Sequence, residues 1–252
     1  MRLENILKGT RYLFITWATS LPRIVYRSTI SLVVQPKESQ KFIHQVLNAQ
    51  DIESDDPVLG SVDATDLASS KVEPIIIGPY HIFTPGSTHN LLELASLAYL
   101  MQALQPLVVF EIGTFVGRTT RLLALNTPIA TRIFTLDLPQ ERVMHKIGEA
   151  FRGTSESQKI TQLNGDSRNF DYSPWHNKCD FVWIDGCHDY PYVVQDTQAA
   201  LNLCRPGGWI LWHDYRHTAW WSGITRVVWK LARTHPGVRH IRGTTIAAFQ
   251  AI

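Results

Sequence analysis

The sequence predicts an α/β protein with a Rossmann-like, doubly wound and mostly parallel sheet of seven strands. Two observations support this fold class. Short apolar segments alternate with helical patterns after residue 85, which requires right-handed crossovers between parallel strands. The last two apolar segments, 238–242 and 245–250, are separated only by Gly243 and Thr244, so we expect them to pair as an antiparallel C-terminal hairpin.

The expected elements follow in a regular order. Pro85-Gly86-Ser87 introduces a helix that Pro106 ends, and unbroken apolar runs indicate strands buried on both faces. The expected strands are 108–112, 134–136, 160–163, 179–184 and 209–212, and the later helices are 118–125, 140–151, 192–203 and 223–233. Residues 85–252 are thus the predicted ligand-binding domain. Residues 1–84 are a predicted, mainly helical extension, whose acidic stretch 51–66 is expected to be an exposed loop or linker.

The segment 107–120, LVVFEIGTFVGRTT, predicts a loop that binds a nucleotide-like ligand. Glu111 lies near the end of the strand, and Gly113 and Gly117 permit positive φ angles and close approach of a ligand to the backbone. The spacing lacks the third glycine of the dinucleotide fingerprint. An ordinary strand-to-helix turn is therefore the alternative.

Polar or acidic side chains stand at the carboxyl ends of the expected strands. After Glu111 they are Asp137, Asp166 with Ser167, Asp185 with His188, and Asp214. Because open α/β sheets bind ligands at this edge, we expect these groups to surround one site. A carboxylate offers two acceptor oxygens, so Asp137 is expected to accept hydrogen bonds from both hydroxyls of a ribose, with a helix cap before Pro139 as the alternative.

Four motifs together resemble a known family. They are EIGTFVGRTT at 111–120, GDS at 165–167, DGCHDY at 185–190 and RPGGWILWHDY at 205–215. These motifs resemble the class I methyltransferases that use S-adenosylmethionine (SAM), and within them a bacterial family of small-molecule methyltransferases. The resemblance covers about residues 85–250 and implies SAM as the cofactor and a reversed seventh strand inside the sheet.

The resemblance also implies which residues bind SAM. The backbone from Gly113 to Gly117 would lie against the amino-acid moiety, and Asp166 and Ser167 would meet the adenine edge unless they only cap a helix. Glu111 would accept hydrogen bonds from loop amides or from the cofactor's amino group, with loop architecture as the alternative. The full set is Glu111, Gly113, Thr114, Phe115, Gly117, Thr119, Asp137, Leu138, Asp166, Ser167 and Asp185.

The catalytic residues are expected to be His188, Asp185 and Asp214. Methyl transfer to a hydroxyl needs aligned reactants and a base poised near neutral pH, which favours histidine. His188 is the candidate base, because related metal-dependent catechol-type enzymes place a lysine base at the same offset from the aspartate that ends the fourth strand. A hydrogen bond that braces the loop is its alternative role, and His213 is expected to be structural.

A metal ion is the second expectation for this edge. Asp185 and Asp214 end adjacent strands, so their carboxylates could converge on Mg²⁺, which would bind the acceptor oxygen and lower its pKa. The catechol-type pattern has an amide or carboxylate directly after the second aspartate, whereas this chain has Tyr215. The alternative is that both aspartates orient loops or hydrogen-bond the cofactor or the acceptor.

These residues predict O-methylation of a small hydroxylated metabolite or sugar, with nitrogen as a less favoured acceptor. Two other classes stay open, a metal-dependent hydroxylase-like relative and a non-catalytic cofactor-binding protein of the same fold. An NAD-dependent dehydrogenase is least favoured, because the third glycine and a sixth parallel strand are missing. Trp175, Trp220 and Trp221 either pack in the core or line an apolar acceptor pocket.

Composition supplies the remaining expectations. The net charge is +2 and basic residues form no stripe with aromatic ones, so we expect a small-molecule acceptor and no nucleic acid. Residues 1–34 are basic and amphipathic, which predicts weak membrane contact or packing on the domain or on a second subunit of a homo-oligomer. The uncharged stretch 12–21 is too short to span a bilayer. The 3 irregularly spaced cysteines predict reduced thiols in a cytoplasmic protein.

Overall fold

A single mixed sheet of eight strands organises the part of the chain that the computed structural model describes, namely residues 56, 58–68, 72–77, 91–216 and 223–252. These residues belong to one unit of the chain, Gln50–Ile252. The predictions for the basic segment 1–34, for the Pro85-Gly86-Ser87 helix start and for Trp220 and Trp221 lie outside the described residues.

The strands confirm the predicted fold class. In chain order they are β1 (Ser61–Val62), β2 (Val108–Ile112), β3 (Arg132–Asp137), β4 (Ile160–Asn164), β5 (Cys179–Ile184), β6 (Cys204–Trp212), β7 (Arg239–Ile241) and β8 (Ile246–Gln250). Their spatial order is β1-β7-β8-β6-β5-β2-β3-β4. β8 runs antiparallel to β6 and β7, and the other neighbouring pairs are parallel. The sheet is therefore mostly parallel, with the expected antiparallel C-terminal hairpin.

The predicted count of seven strands is wrong by one, because β1 adds to the edge of the sheet. Ser61 and Val62 pair with His240 and Ile241 of β7. A strand of two residues among acidic neighbours carries no hydrophobic period, so the sequence gives no sign of it. β1 precedes the predicted domain boundary between residues 84 and 85. It lies within the acidic stretch 51–66, which is expected from the sequence to be an exposed loop or linker.

Five α-helices accompany the sheet in the described ranges. They are α1 (Ala64–Leu67), α2 (Leu91–Leu104), α3 (Arg118–Leu125), α4 (Tyr190–Leu203) and α5 (Gly223–Ala232). The predicted helix over 140–151 is wrong, because this segment has only a 3-10 turn at Gln140–Arg142 followed by turns. Its amides bond to the glycine loop instead, from Gly148 N to Phe115 O at 2.9 Å and from Ala150 N to Val116 O at 2.8 Å.

Both faces of the sheet are buried, as the unbroken apolar strands predict. On one face, Phe110, Val182 and Trp212 pack in a cluster with α4 and α5. On the other face, Val109 and Trp183 pack with residues of α2 and α3. This two-sided packing fixes the strands and therefore the positions of the loops at their carboxyl ends. No helix of the described ranges combines the length and apolar character that crossing a bilayer requires.

Candidate active site

A cavity of about 930 Å³ opens at the carboxyl edge of the sheet. It lies at the end of β2, where the strand order reverses: the chain runs from β2 to β3 and β4 on one side and then crosses to β5 on the other side of β2. This is the usual ligand position in open α/β sheets. The residues that line it include Gly113, Thr114, Phe115, Thr119, Asp137, Leu138, Asp166, Ser167, Asp185, His188 and Asp214. The structure therefore brings together the predicted site residues other than Glu111 and Gly117.

The two glycines of the loop are required by contacts within the protein. Gly113 has φ +103°, and a Cβ there would overlap the carbonyl oxygen of Asp185 at the end of β5. Gly117 has φ +79°, and its Cβ would lie 2.6 Å from the Phe151 ring. Close packing of neighbouring loops is thus one reason for both glycines, and the close approach of a cofactor to this backbone stays a prediction. That packing brings the ends of β2 and β5 to the same cavity.

Glu111 is fully buried and does not line the cavity. Its Oε2 accepts hydrogen bonds from Thr120 Oγ1 at 2.5 Å and Thr135 Oγ1 at 2.6 Å. Burial raises the pKa of Glu111 to about 8, although both hydroxyls oppose the shift. The loop-architecture alternative fits this geometry, and direct contact of Glu111 with a cofactor does not.

Asp137 ties the glycine loop to the end of β3. Its Oδ2 accepts from Phe115 N at 2.6 Å, and its Oδ1 accepts from Leu138 N at 2.7 Å. Phe115 is 59% exposed at φ +49° and packs on the His145 ring, with 4.3 Å between centroids. Because each carboxylate oxygen has a second lone pair, Asp137 keeps acceptor capacity for a diol in the cavity.

Asp166 and Ser167 form the wall of the cavity beyond β4. Asp166 Oδ2 lies 3.7 Å from Arg142 Nη1 and 3.4 Å from the Tyr192 hydroxyl, and Asp166 Oδ1 accepts from Arg168 N at 3.2 Å. The helix-capping alternative does not apply to Asp166, because residues 167–169 form a turn and no helix follows β4 directly. Tyr192 also lines the cavity, and Arg142 pairs with Asp166 from outside the lining, neither of which the motif alone reveals.

The opposite wall is a cluster of charges around His213. His188 Nε2 lies 2.9 Å from Asp214 Oδ2. His213 Nδ1 lies 3.1 Å from Asp185 Oδ1 and 3.3 Å from Asp214 Oδ2, so one imidazole bridges both carboxylates. The three predicted catalytic residues are therefore adjacent, and His213 joins two of them.

A second layer holds His213 from behind. His213 Nε2 lies 3.5 Å from Oε2 of the buried Glu93 in α2, and Glu93 Oε1 accepts from Thr245 N at 2.6 Å and Thr245 Oγ1 at 2.7 Å. Sequence analysis missed Glu93. It shares a helical face with Leu97 and Leu100, and an acid on an apolar face was the available signal.

The pKa shifts follow from this cluster. Burial lowers the pKa of His213, but the charges of Asp214 and Asp185 outweigh burial and hold that pKa well above its ordinary value of 6.5. Burial raises the pKa of Asp214, but the two histidines hold it well below 3.8. The hydrogen bond to Asp214 raises the pKa of His188 above 6.5. His213 and Asp214 thus form a buried pair of opposite charges. His188 contacts Asp214 from the exposed side of this pair.

The donor set also fits a divalent cation. Ligand atoms of Asp185, His188 and Asp214 all lie within 4.8 Å of one another, and His188 is exposed. Two carboxylates and an imidazole suit cations that accept nitrogen, whereas Mg²⁺ prefers oxygen ligands alone. The fit is therefore better for a transition metal than for the predicted Mg²⁺.

The fold and the position of the cavity are those that the resemblance to class I methyltransferases implies. Residues 110–215 match a family model described as a methyltransferase domain. The resemblance seen in the sequence is thereby confirmed at the level of the class. A search of curated proteins finds no significant match.

Solved structures agree with this fold at low sequence identity. A putative O-methyltransferase from Klebsiella pneumoniae is 16% identical, with 83% of this chain and 96% of that chain covered and a TM-score of 0.51. TomG from Streptomyces achromogenes, an O-methyltransferase involved in tomaymycin synthesis and solved with SAM, is 15% identical, with 82% and 95% covered and a TM-score of 0.51. Cofactor-bound Rv0187 from MTB is 19% identical, with 66% and 83% covered and a TM-score of 0.51.

Proposed function

We propose that this protein transfers a methyl group from SAM to a hydroxyl group of a small molecule, with His188 as the base. The observation that carries this proposal is the 2.9 Å contact between His188 Nε2 and Asp214 Oδ2 in the wall of the cavity. The methyltransferase-domain match and the O-methyltransferase neighbours support the reaction class. Asp185 and Asp214 complete the proposed catalytic set.

The cofactor would occupy the side of the cavity formed by the loops after β2, β3 and β4. The Gly113 backbone would lie against the amino-acid moiety, Asp137 would accept hydrogen bonds from the ribose, and Asp166 and Ser167 would face the adenine. When bound, SAM supplies a methyl carbon activated by its sulfonium. The residues of this wall therefore have to align the acceptor oxygen with that carbon, which is the main demand of such a transfer.

The base would act through its pair with Asp214. With Nε2–H donated to Asp214, Nδ1 of His188 is the nitrogen left to accept the acceptor proton. Asp214 stabilises the imidazolium that forms, which agrees with the raised pKa of His188. Activity should rise with pH through a value above 6.5, because only neutral His188 can take a proton.

A metal-dependent relative is the second candidate function, either a metal-assisted methyltransferase or a hydroxylase-like enzyme. The convergent ligand atoms of Asp185, His188 and Asp214 favour it. A bound cation would polarise the acceptor oxygen and lower its pKa. In that case His188 would be a ligand and could not serve as the base.

We also propose a small-molecule acceptor, no nucleic-acid partner, a cytoplasmic location and a homo-oligomer, with weak membrane contact by the N-terminal segment. The cavity volume supports a small molecule. The irregular spacing of the 3 cysteines supports a reducing compartment.

Calorimetric titration with SAM and with NAD, each with and without Mg²⁺ or Mn²⁺, is the test of the cofactor. Micromolar binding of SAM alone would support the proposal. Transfer of an isotope-labelled methyl group to a panel of phenols, sugars and other hydroxylated metabolites then tests the reaction. A preference for NAD would overturn the proposal. SAM binding without transfer to any acceptor would favour a non-catalytic cofactor-binding protein.

A further inference from the structure

A segment far upstream of the methyltransferase-domain match is joined to the loop that carries Asp214. Asp56 is only 4% exposed, and its Oδ2 accepts a hydrogen bond from the Tyr215 hydroxyl at 2.7 Å. Its Oδ1 accepts from Val58 N at 2.7 Å and Leu59 N at 2.9 Å. The carboxylate is thus held by its own turn on one side and holds Tyr215 on the other.

Tyr215 is fully buried, and its hydroxyl both donates and accepts a hydrogen bond. It donates to Asp56 and accepts from Trp229 Nε1 at 2.7 Å, while Tyr215 N donates to Thr245 O at 2.8 Å. A hydroxyl that donates once and accepts once between fixed partners has a single orientation. The position of Tyr215 is therefore set by three separate elements.

The residues on both sides of Tyr215 have left-handed backbone conformations. Asp214 has φ +56° and Arg216 has φ +62°, a region that side-chain-bearing residues rarely adopt. Such conformations persist where the surroundings over-determine them, and they occur at functional sites. The Asp56–Tyr215 bond lies in the middle of this turn, next to the residue that contacts His188.

We infer that Asp56 and Tyr215 are positioning residues, which hold the Asp214 carboxylate in place against His188. This inference rests on the proposed function of His188 and Asp214. Asp56, which the family match leaves out, would then be needed for the geometry of the catalytic site. Neither Asp56 nor Tyr215 lines the cavity, so each acts through Asp214.

Attachment of the segment to the sheet does not depend on this hydrogen bond. β1 pairs with β7, and Ser61 Oγ lies 3.0 Å from His240 Nδ1. These contacts remain when the Tyr215 hydroxyl is removed. Loss of that hydroxyl should therefore loosen the Asp214 turn while the segment stays in place.

The test uses Tyr215→Phe and Asp56→Asn in the full chain. The control for Tyr215→Phe is Tyr99→Phe, which loses a hydroxyl that donates to Ala68 O at 2.6 Å. The control for Asp56→Asn is Asp180→Asn, which changes a carboxylate that accepts from Leu107 N and Val108 N at the opposite edge of the sheet. In both test variants kcat should fall about 10- to 100-fold, because small misplacements of catalytic groups are costly. The KM and Kd for SAM should stay within about twofold, and both controls should keep the wild-type kcat.

Unchanged kcat in folded Tyr215→Phe would overturn the inference, even if Asp56→Asn failed to fold. A second readout does not need methyl transfer, namely the ¹⁵N chemical shift of the His188 ring at one fixed pH, assigned with His188→Ala. The shift should move in Tyr215→Phe and stay in place in Tyr99→Phe. If the wild type methylates no acceptor, the proposed function fails. The ¹⁵N shift still tests the inference in that case, because an unchanged His188 shift in Tyr215→Phe would contradict it.

Discussion

The two sides of the cavity are built in different ways. On the cofactor side, the loops after β2 and β3 are joined by contacts between residues close in the chain, such as the hydrogen bond from Phe115 N to Asp137 Oδ2 over 22 positions. On the charged side, His213 meets Glu93 across 120 positions and Tyr215 meets Asp56 across 159 positions. A short motif can therefore describe the cofactor side, whereas the charged side depends on chain segments far outside any motif.

The largest effect that separates the two sides is expected from His188→Ala. Without the candidate base, kcat should fall about 100- to 10,000-fold. The affinity for SAM should change less than about threefold, because His188 belongs to the other wall. Labelled methyl transfer and calorimetry measure the two quantities, with the exposed His176→Ala as the control. An equal loss of SAM binding would show that the two sides are not separate.

Gly113→Ala should damage both sides at once. The new Cβ would overlap the backbone of Asp185, so the free energy of unfolding should fall about 2–3 kcal/mol further than in a control without that clash. Gly153→Ala is the control, since Gly153 has φ +73° and no atom within 4 Å of an added Cβ. Urea unfolding measures the difference. Equal losses would mean that the positive φ, and not the packing of β2 on β5, is the cause.

Asp137→Ala should affect only the cofactor side. The variant loses the acceptor for Phe115 N and Leu138 N as well as that for the ribose, so the Kd for SAM should rise about 10- to 100-fold. Asp171→Ala is a matched control, because Asp171 also accepts from a backbone amide, Ser173 N at 3.0 Å, away from the cavity. Wild-type SAM affinity in Asp137→Ala would remove Asp137 from the proposed site.

The smallest effect on the two sides of the cavity is expected from Glu111→Gln, which should change the pH dependence of stability and neither wall. The native pKa of Glu111 is raised to about 8 by burial, against 4.5 ordinarily, so its stabilising contribution is complete below pH 4.5 and is lost as the pH rises toward 8. Removing this titration should make the fall in unfolding free energy less steep, by up to about 1.4 kcal/mol per pH unit. Chemical unfolding across this range, with the exposed Glu149→Gln as control, measures it. Parallel curves for Glu111→Gln and the wild type would contradict the buried titration.

The sheet and its carboxyl edge could be predicted because both depend on local patterns. Buried parallel strands need unbroken apolar runs, and the groups that follow them must meet at one edge. The segment 140–151 could not be predicted in this way. Its composition permits a helix, but Gly148 N and Ala150 N find their acceptors on the glycine loop, and this tertiary contact overrides local preference.

The charged side was only partly predictable. Asp185, His188 and Asp214 stand at strand ends and were found from their position. Glu93 was missed, because a helix pattern shows that an acid lies on an apolar face but not which imidazole faces it. The burial of Glu111 was missed for the same reason, since its hydroxyl partners Thr120 and Thr135 follow from packing.

The place of β8 has a consequence for how the protein is made. β8 lies between β6 and β7 although it follows both in the chain. Before β8 inserts, the edge of β6 formed by Trp209, Ile210 and Leu211, which pairs with β8 in the folded protein, is unpaired. Open apolar edges invite pairing between chains, and strands that pair late fold slowly. Insertion of β8 therefore closes an apolar edge that could otherwise pair with another chain.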